Sequence, residues 1–431
     1  MTGILIYLFP VIIDMILAAV FFMAQVATAQ KGASAGTVAN FIAVWAAVYM
    51  ASCFLVGRVV SRRNCAALII VSCGLTAMLS LGLAGVSSVG AMYVLVALEG
   101  IGMALFFVPF QVFMKGVGEG RQKTLNDSIG LYTFSWSIGY AAGPFVAAVM
   151  WQHVGWRGSH AINAAAALLV GVLTWTLKHT ARPHSAVHQT NDRPATETPI
   201  RARSASDGSL PDYAAMPDLA WMGWVFSGLG CLAIRTIVGL FPSSGAEHAV
   251  PRLDQGLTLF ILSAVQAVVG LGLARGRWWP LTRDRTRGVQ ERRSRVGRQG
   301  WMYRPVPILL TGLCGVVGLC LFATARTPAA FQIAAACFGV YSGAFFYYLV
   351  FHSLVHPEKS SRYVGINETV VGLTSLAGPF LGGWIADAYA LRTSYLLMAG
   401  MVLAAVGTQT MIHALLRRRK AAGANPWRLS Q

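Results

Sequence analysis

Three side chains can carry charge deep inside the apolar stretches of this sequence and a fourth stands near the start of one, and any buried chemistry must begin with them. Asp14 lies in the stretch 4–27, Glu99 in 90–114, Arg235 in 219–241 and Glu368 in 364–388. An ionised group at the centre of a lipid-embedded helix costs about 2.5 to 3.5 kcal/mol on insertion scales, so each needs a partner or a water-filled cavity. Asp14 stands about ten residues into its stretch, ~15 Å from the start at about 1.5 Å per residue, which is mid-bilayer depth. Burial disfavours the charged form of a carboxyl and can bring proton exchange into the physiological range, so Asp14 is a candidate proton carrier; a static polar bond to a neighbouring helix is the other reading.

Glu99 and Arg235 fall at comparable depths, roughly 12 Å from one face by the same rise, and could pair. Arg235 could instead snorkel towards the headgroups near Pro242. It could also bind a carboxylate or phosphate with both arms of its planar fork. The stretch 329–355 adds Tyr341, Tyr347, Tyr348 and His352. These rings can stack on or hydrogen-bond an amphipathic molecule, and an interfacial belt accounts equally well for His352 and Tyr348. Glu368 opens its stretch, where a helix N-terminus stabilises a carboxylate, and is read as a cap.

The elements that must position these residues follow from composition. Of 431 residues, 55% are hydrophobic and 12% charged, whereas soluble proteins carry about a quarter charged residues. Twelve mostly apolar stretches are each long enough to cross about 30 Å of hydrocarbon. They run approximately over 4–27, 36–57, 66–86, 90–114, 128–150, 159–178, 219–241, 255–275, 306–325, 329–355, 364–388 and 394–416. Gly and Pro recur inside them, and the ten-residue alternation of a membrane β-barrel is absent. The expected fold is an all-α integral membrane bundle. Although Ala27-Thr28-Ala29 imitates a cleavage site, no Lys or Arg precedes the first stretch and its apolar run is too long for a signal core.

The net charge of +18 is explained by sidedness. With the N-terminus inside, 28 of the 34 Lys and Arg fall on the cytoplasmic side, five outside (Lys31, Arg157, Arg252, Arg326, Arg392) and one, Arg235, within a helix. This is the positive-inside pattern. It places both termini in the cytoplasm of a cell membrane, the inner membrane of a bacterium being expected. Charge spread over many loops argues against a nucleic-acid site. The seven cysteines lack paired metal-ligand spacing and read as small buried residues, so neither metal nor cofactor is expected. Phosphate-binding loops, Walker A and a nucleophile elbow are absent, which argues against an enzyme and against direct use of ATP.

Two polar interruptions organise the chain. Residues 179–218 carry too few large apolar groups to fold alone and read as a cytoplasmic linker. It divides an N-terminal half, 1–178, from a C-terminal half, 219–416, with a tail at 417–431. The second interruption, 276–304, holds nine arginines with Trp278, Trp279 and Trp301, a composition suited to the cytoplasmic membrane surface. The halves repeat: Gly143-Pro144-Phe145 recurs as Gly378-Pro379-Phe380, and Arg157 and Ser159 recur as Arg392 and Ser394, at an offset of 235. Gly100 with Phe106-Phe107 recurs as Gly339 with Phe345-Phe346 at 239. Six spans separate the copies, so the repeat is parallel, an arrangement of transporters that rock about a midplane site.

With these residues the chain resembles the major facilitator superfamily over nearly its whole length. Gly57, Ser61, Arg62 and Arg63 stand like the family's cytoplasmic loop of glycine, acidic and basic residues, with Ser61 in the place of the usual Asp. Gly139, Gly143 and Pro144 look like the glycine-proline motif of its drug exporters, which Gly378, Pro379, Gly382 and Gly383 match in the second half; as a packing device the motif needs no particular substrate. On helix 4 the family often has an arginine three residues before a Gln-Gly pair; the matching stretch here, Val96 to Gly100, has Glu99 in the Gln position and no Arg, so a proton-relay role for that arginine does not carry over. The resemblance implies two six-helix bundles, with Asp14, Glu99 and Arg235 facing one cavity lined by helices 1, 4, 7 and 10. It implies a monomeric secondary transporter. Proton-coupled efflux of small organic molecules is the reading favoured here, with uptake of an organic anion or other nutrient, or a transporter-derived receptor or scaffold, as alternatives.

Overall fold

Hydrocarbon offers the backbone no hydrogen-bond partners, so each apolar stretch must close its own bonds as a helix. The computed structural model describes residues 6–118, 125–180, 218–274, 305–354 and 360–421. Among these all regular structure is helical, and 11 helices are long and apolar enough to cross a membrane. The expected linker falls almost wholly outside the described residues, as do the arginine-rich segment 276–304 and most of the C-terminal tail.

Helices α1 (Leu8–Gln30), α2 (Ala35–Val59), α3 (Cys65–Gly85) and α4 (Val89–Gly118) precede one long element, Leu125–Thr180. Gly155 breaks that element with φ 72° and ψ −179°, a conformation a β-carbon disfavours. The part before it, 125–154, is α5 and the part after it, 156–180, is α6. In α5, Gly139 meets Val11 and Gly143 meets Met15 and Ala18, so α5 runs parallel to α1. In α6, Trp156 donates to the Leu83 carbonyl while Gly171 packs on Cys73, so α6 runs antiparallel to α3. The chain therefore reverses at Gly155 and the 11 helices make twelve crossings. An eight-residue gap, 151–158, was expected here; a single glycine suffices because it can adopt the positive φ.

The remaining helices are α7 (Ala220–Glu247), α8 (Arg252–Ala274), α9 (Pro305–Thr324), α10 (Pro328–Leu354), α11 (Ser360–Ala388) and α12 (Leu391–Ala421). A π turn at Gly223–Ser227 opens α7 two turns before Arg235, a local irregularity of a kind often found at functional sites. One face of the bundle carries the six short turns and is called the short-turn face. The opposite, terminal face carries the chain ends.

The sequence repeat is visible as packing. A β-carbon on Gly143 would lie 2.7 Å from the Met15 carbonyl oxygen, and one on Gly378 would lie 2.7 Å from the Leu232 carbonyl oxygen. So α5 rests on α1 as α11 rests on α7. Each of these helices also touches the other half: a β-carbon on Gly256 of α8 would meet the Pro144 carbonyl at 2.7 Å, and one on Gly383 of α11 would meet Gly36 Cα of α2 at 2.7 Å. Large apolar side chains such as Phe54, Met78 and Trp384 are more than 60% exposed on the periphery, as expected of a lipid-facing surface.

These close approaches should make Gly143 intolerant of any side chain. Overpacking a tight contact costs about 1–3 kcal/mol, so Gly143→Ala should lower the melting temperature of the detergent-purified protein. Gly74→Ala, where an added methyl meets nothing within 4 Å, should leave it unchanged. Equal melting temperatures for the two variants would refute the packing account.

Candidate functional site

The glycine contacts set the rotation of α1, α5 and α7 about their axes, and that rotation brings three polar side chains together. Tyr140 follows Gly139 and therefore stands level with Asp14. Arg235 of α7 donates from Nη1 to the Tyr140 hydroxyl at 3.3 Å, with its guanidinium carbon 5.6 Å from the ring centroid. Asp14 is buried, its Oδ2 lacks a hydrogen-bond partner, and Arg235 is the cation whose charge acts on it. Tyr49 of α2 and Tyr132 of α5 lie within the field of the same carboxylate. A carboxyl from one half thus acts on a guanidinium from the other, which is bonded to Tyr140 of the carboxyl's own half. Such a group can hold a proton or release it, and its attraction across the halves changes accordingly.

Arg235 does not extend towards Pro242; its partner is Tyr140, at the depth of Asp14. Glu99 stands apart. It is 1% exposed, neither carboxyl oxygen has a hydrogen-bond partner, and it lies beside Thr76 of α3, whose hydroxyl approaches without completing a bond. Tyr341 packs on Gly315 of α9 and on Phe338 and Phe345, and Tyr347 stacks on Phe351 at 6.2 Å near the start of α7. His352 is buried beside Tyr348, which meets His413 Nε2 at 3.1 Å. Glu368 is not in the first turn of its helix: α11 begins at Ser360, so the carboxylate sits two turns in and is no cap.

Gly57 in the last turn of α2 and Arg62 and Arg63 in the loop after it are exposed. The Ser61 amide donates to Asn64 Oδ1 at 2.7 Å, and Asn64 Nδ2 donates to the Val59 carbonyl at 2.7 Å. Asn64 thus closes the turn where the resembled family has an acidic residue. A charged contact across the halves occurs at the short-turn face. Asp387, at the end of α11, accepts from Ser34 Oγ at 2.8 Å and from the Gly36 amide at 3.0 Å, which caps the N-terminus of α2. Nearby, Arg252 of α8 donates to Gln30 at 2.7 Å and lies 4.2 Å over the Trp151 ring. Below both, buried Gln25 donates to the Val38 and Gly239 carbonyls.

Tyr49, Tyr132, Tyr140 and Asp387 were not singled out from the sequence. A tyrosine in an apolar stretch reads as core; the available signal was its place one residue from a motif glycine, as at Tyr140. Asp387 could have been found as an acid four residues beyond Gly383.

Two six-helix bundles of parallel repeat, tied at one face and enclosing a polar seam, are the build of a secondary transporter. The Major Facilitator Superfamily model matches residues 4–355, and the chain belongs to that family. It is a transporter and not an enzyme. Among solved structures it is similar to the nucleoside transporter NupG, as a D323A mutant, at 13% identity and TM-score 0.63 over 95% of this chain and 99% of that one. It is also similar to a bacterial homologue of the human lysosomal transporter Spinster in an inward-facing, occupied conformation, at 14% identity and TM-score 0.62 over 94% and 96%. These likenesses are of fold. No curated protein matches the chain.

The contact at Asp387 makes a prediction about conformation. Its carboxylate is exposed, so the two bonds together contribute on the order of 1 kcal/mol. Asp387→Ala should therefore raise the population open at the short-turn face by about fivefold. Spin labels at Ala33 and Tyr389, in a chain with its cysteines replaced, should report a longer and broader distance distribution. An unchanged distribution would mean that Asp387 does not hold the halves.

Proposed function

We propose that the protein is a proton-coupled exporter of small organic molecules, working by alternating access as a monomer with both termini in the cytoplasm of a bacterial inner membrane. The observation that carries this reading is the Asp14 carboxyl, buried in one half with Oδ2 unpartnered and under the field of Arg235 in the other. Ionised Asp14 is drawn to Arg235 and favours closure of the seam around them. Protonated Asp14 is neutral, so the attraction falls and the halves can part. A substrate that occupies the seam in one state and a proton that occupies Asp14 in the other are thereby exchanged.

Direction rests on the drug-exporter-like glycine-proline motif at Gly139, Gly143 and Pro144. Orientation rests on the sidedness of Lys and Arg along the sequence, 28 of 34 falling on the side of the N-terminus. Uptake of an organic anion would use Arg235 as its receptor, yet the guanidinium is already engaged by Tyr140 and acted on by Asp14.

The test is reconstitution of the full chain in liposomes with an imposed pH gradient and a panel of labelled solutes. Gradient-driven flux of at least one solute is expected in the wild type. In Asp14→Asn, net gradient-driven accumulation should fall at least about tenfold while folding, read by size-exclusion profile, is retained. Flux in Asp14→Asn with the wild-type pH dependence would overturn the coupling role. Absence of gradient-driven flux of any solute would favour the receptor or scaffold reading.

A further inference from the structure

Glu368 is the seam's second carboxylate, and the mechanism above does not use it. Residues 372, 375, 379 and 383 follow it at intervals of four, seven, eleven and fifteen, which places them on one face of α11. That face is turned to the other half and to α7. A β-carbon on Gly372 would meet Met50 Sδ of α2 at 2.8 Å, Pro379 packs on Gly239 of α7, and Gly383 packs on Gly36 of α2. The lipid-facing side of the same helix is marked by Leu373, Phe380 and Trp384, each more than half exposed. Glu368 therefore points into the seam, on the terminal side of the tied face. It is nevertheless exposed and has no hydrogen-bond or ion-pair partner among the described residues.

Groups on three other helices feel the charge of this open carboxylate. Tyr132 of α5, Cys53 of α2 and Cys231 of α7 lie within its field. Tyr132 is within reach of exposed Gln111 of α4, and Tyr49 is within reach of Cys53. Among the described residues the seam thus holds two carboxyl groups, Asp14 and Glu368, against one guanidinium that is already committed. One negative charge is left over, beside an aromatic ring and a neutral amide.

We propose that Glu368 and Tyr132 form a subsite for the positive charge of a small organic cation, an onium or ammonium group carried on an apolar body. This deepens the transport reading and rests on it. The carboxylate supplies attraction that water screens only partly between the two bundles. The Tyr132 face supplies a cation–π contact, Gln111 a carbonyl acceptor, and Met50 polarisable apolar surface. Asp14 and Arg235 handle the proton at a deeper level, so substrate charge and coupling charge occupy separate positions on α11 and α1.

Binding to the detergent-solubilised full chain tests this without any gradient. Tetraphenylphosphonium is the probe, and tetraphenylborate, of nearly the same shape and opposite charge, is the control. The wild type should bind the cation at least about tenfold more tightly than the anion. Glu368→Gln should remove that preference, Glu368→Asp should retain it, and Tyr132→Phe, which keeps the ring, should change it little while Tyr132→Ala weakens it. Glu99→Gln should bind like the wild type. An unchanged preference in Glu368→Gln, or a wild type that favours the borate, would overturn the subsite. Because the readout is equilibrium binding, proton-driven flux through a Glu368→Gln variant with wild-type cation affinity would sink this inference while leaving the transport reading intact.

Discussion

Helices in lipid gain little from hiding apolar surface, since the hydrocarbon around them is as apolar as their side chains. What draws them together is close contact between backbones, and that requires small residues where the helices meet. In this chain the requirement is concentrated on α5 and α11. Gly139 and Gly143 let α5 lie against α1, and Gly378 and Gly382 let α11 lie against α7. The same two helices reach across to α8 and α2, where Pro144 meets Gly256 and Gly383 meets Gly36. Each is therefore both a core helix of its own half and the main surface offered to the other. Everything polar in the seam is placed by how these two helices are rotated.

The charged groups obey the same constraint. Arg235 is tolerable in mid-membrane because Tyr140, set one residue beyond a contact glycine, presents a hydroxyl and a ring to it. Asp14 is placed across from it by the same contact seen from α1. The two act on each other through their charges without a bond to Oδ2, which remains unpartnered, and a purely structural ion pair would not leave it unfilled. A loosely satisfied charge divided between two rigid bodies makes their separation sensitive to a single proton.

Much of the fold was legible because hydropathy reports depth directly: an apolar stretch of sufficient length must cross, whatever its neighbours. Depth does not report rotation, and there the sequence was insufficient. Glu99 and Arg235 were matched by depth, yet Glu99 turns towards Thr76 of its own half while Arg235 turns into the seam. Glu368 was read as a cap because apolarity begins at about residue 364, whereas the helix begins at Ser360; polar residues extend a membrane helix beyond its greasy core without a hydropathy signal. Tyr132 and Tyr140 were invisible for a third reason. Their rings count as apolar in any pattern, and only the packed neighbours show that their hydroxyls face charge.

The repeat makes one departure from symmetry informative. At the offset of 235 that relates Gly143 to Gly378, Asp387 corresponds to Gln152, which is exposed. On one side of the short-turn face, then, a carboxylate grips the N-terminus of α2. On the pseudo-equivalent side the grip is made by Arg252 lying over Trp151 and bonded to Gln30. Both ties join the halves at this face. At the α2–α3 loop on the terminal face, the position where the family carries an acid is Ser61, whose amide donates to Asn64 Oδ1. Alternating access requires each face to open in turn, so the resting state is set by the difference between the ties at the two ends. The Asp387 and Arg252 ties are the short-turn face's share of that difference, and both must break before this face can open.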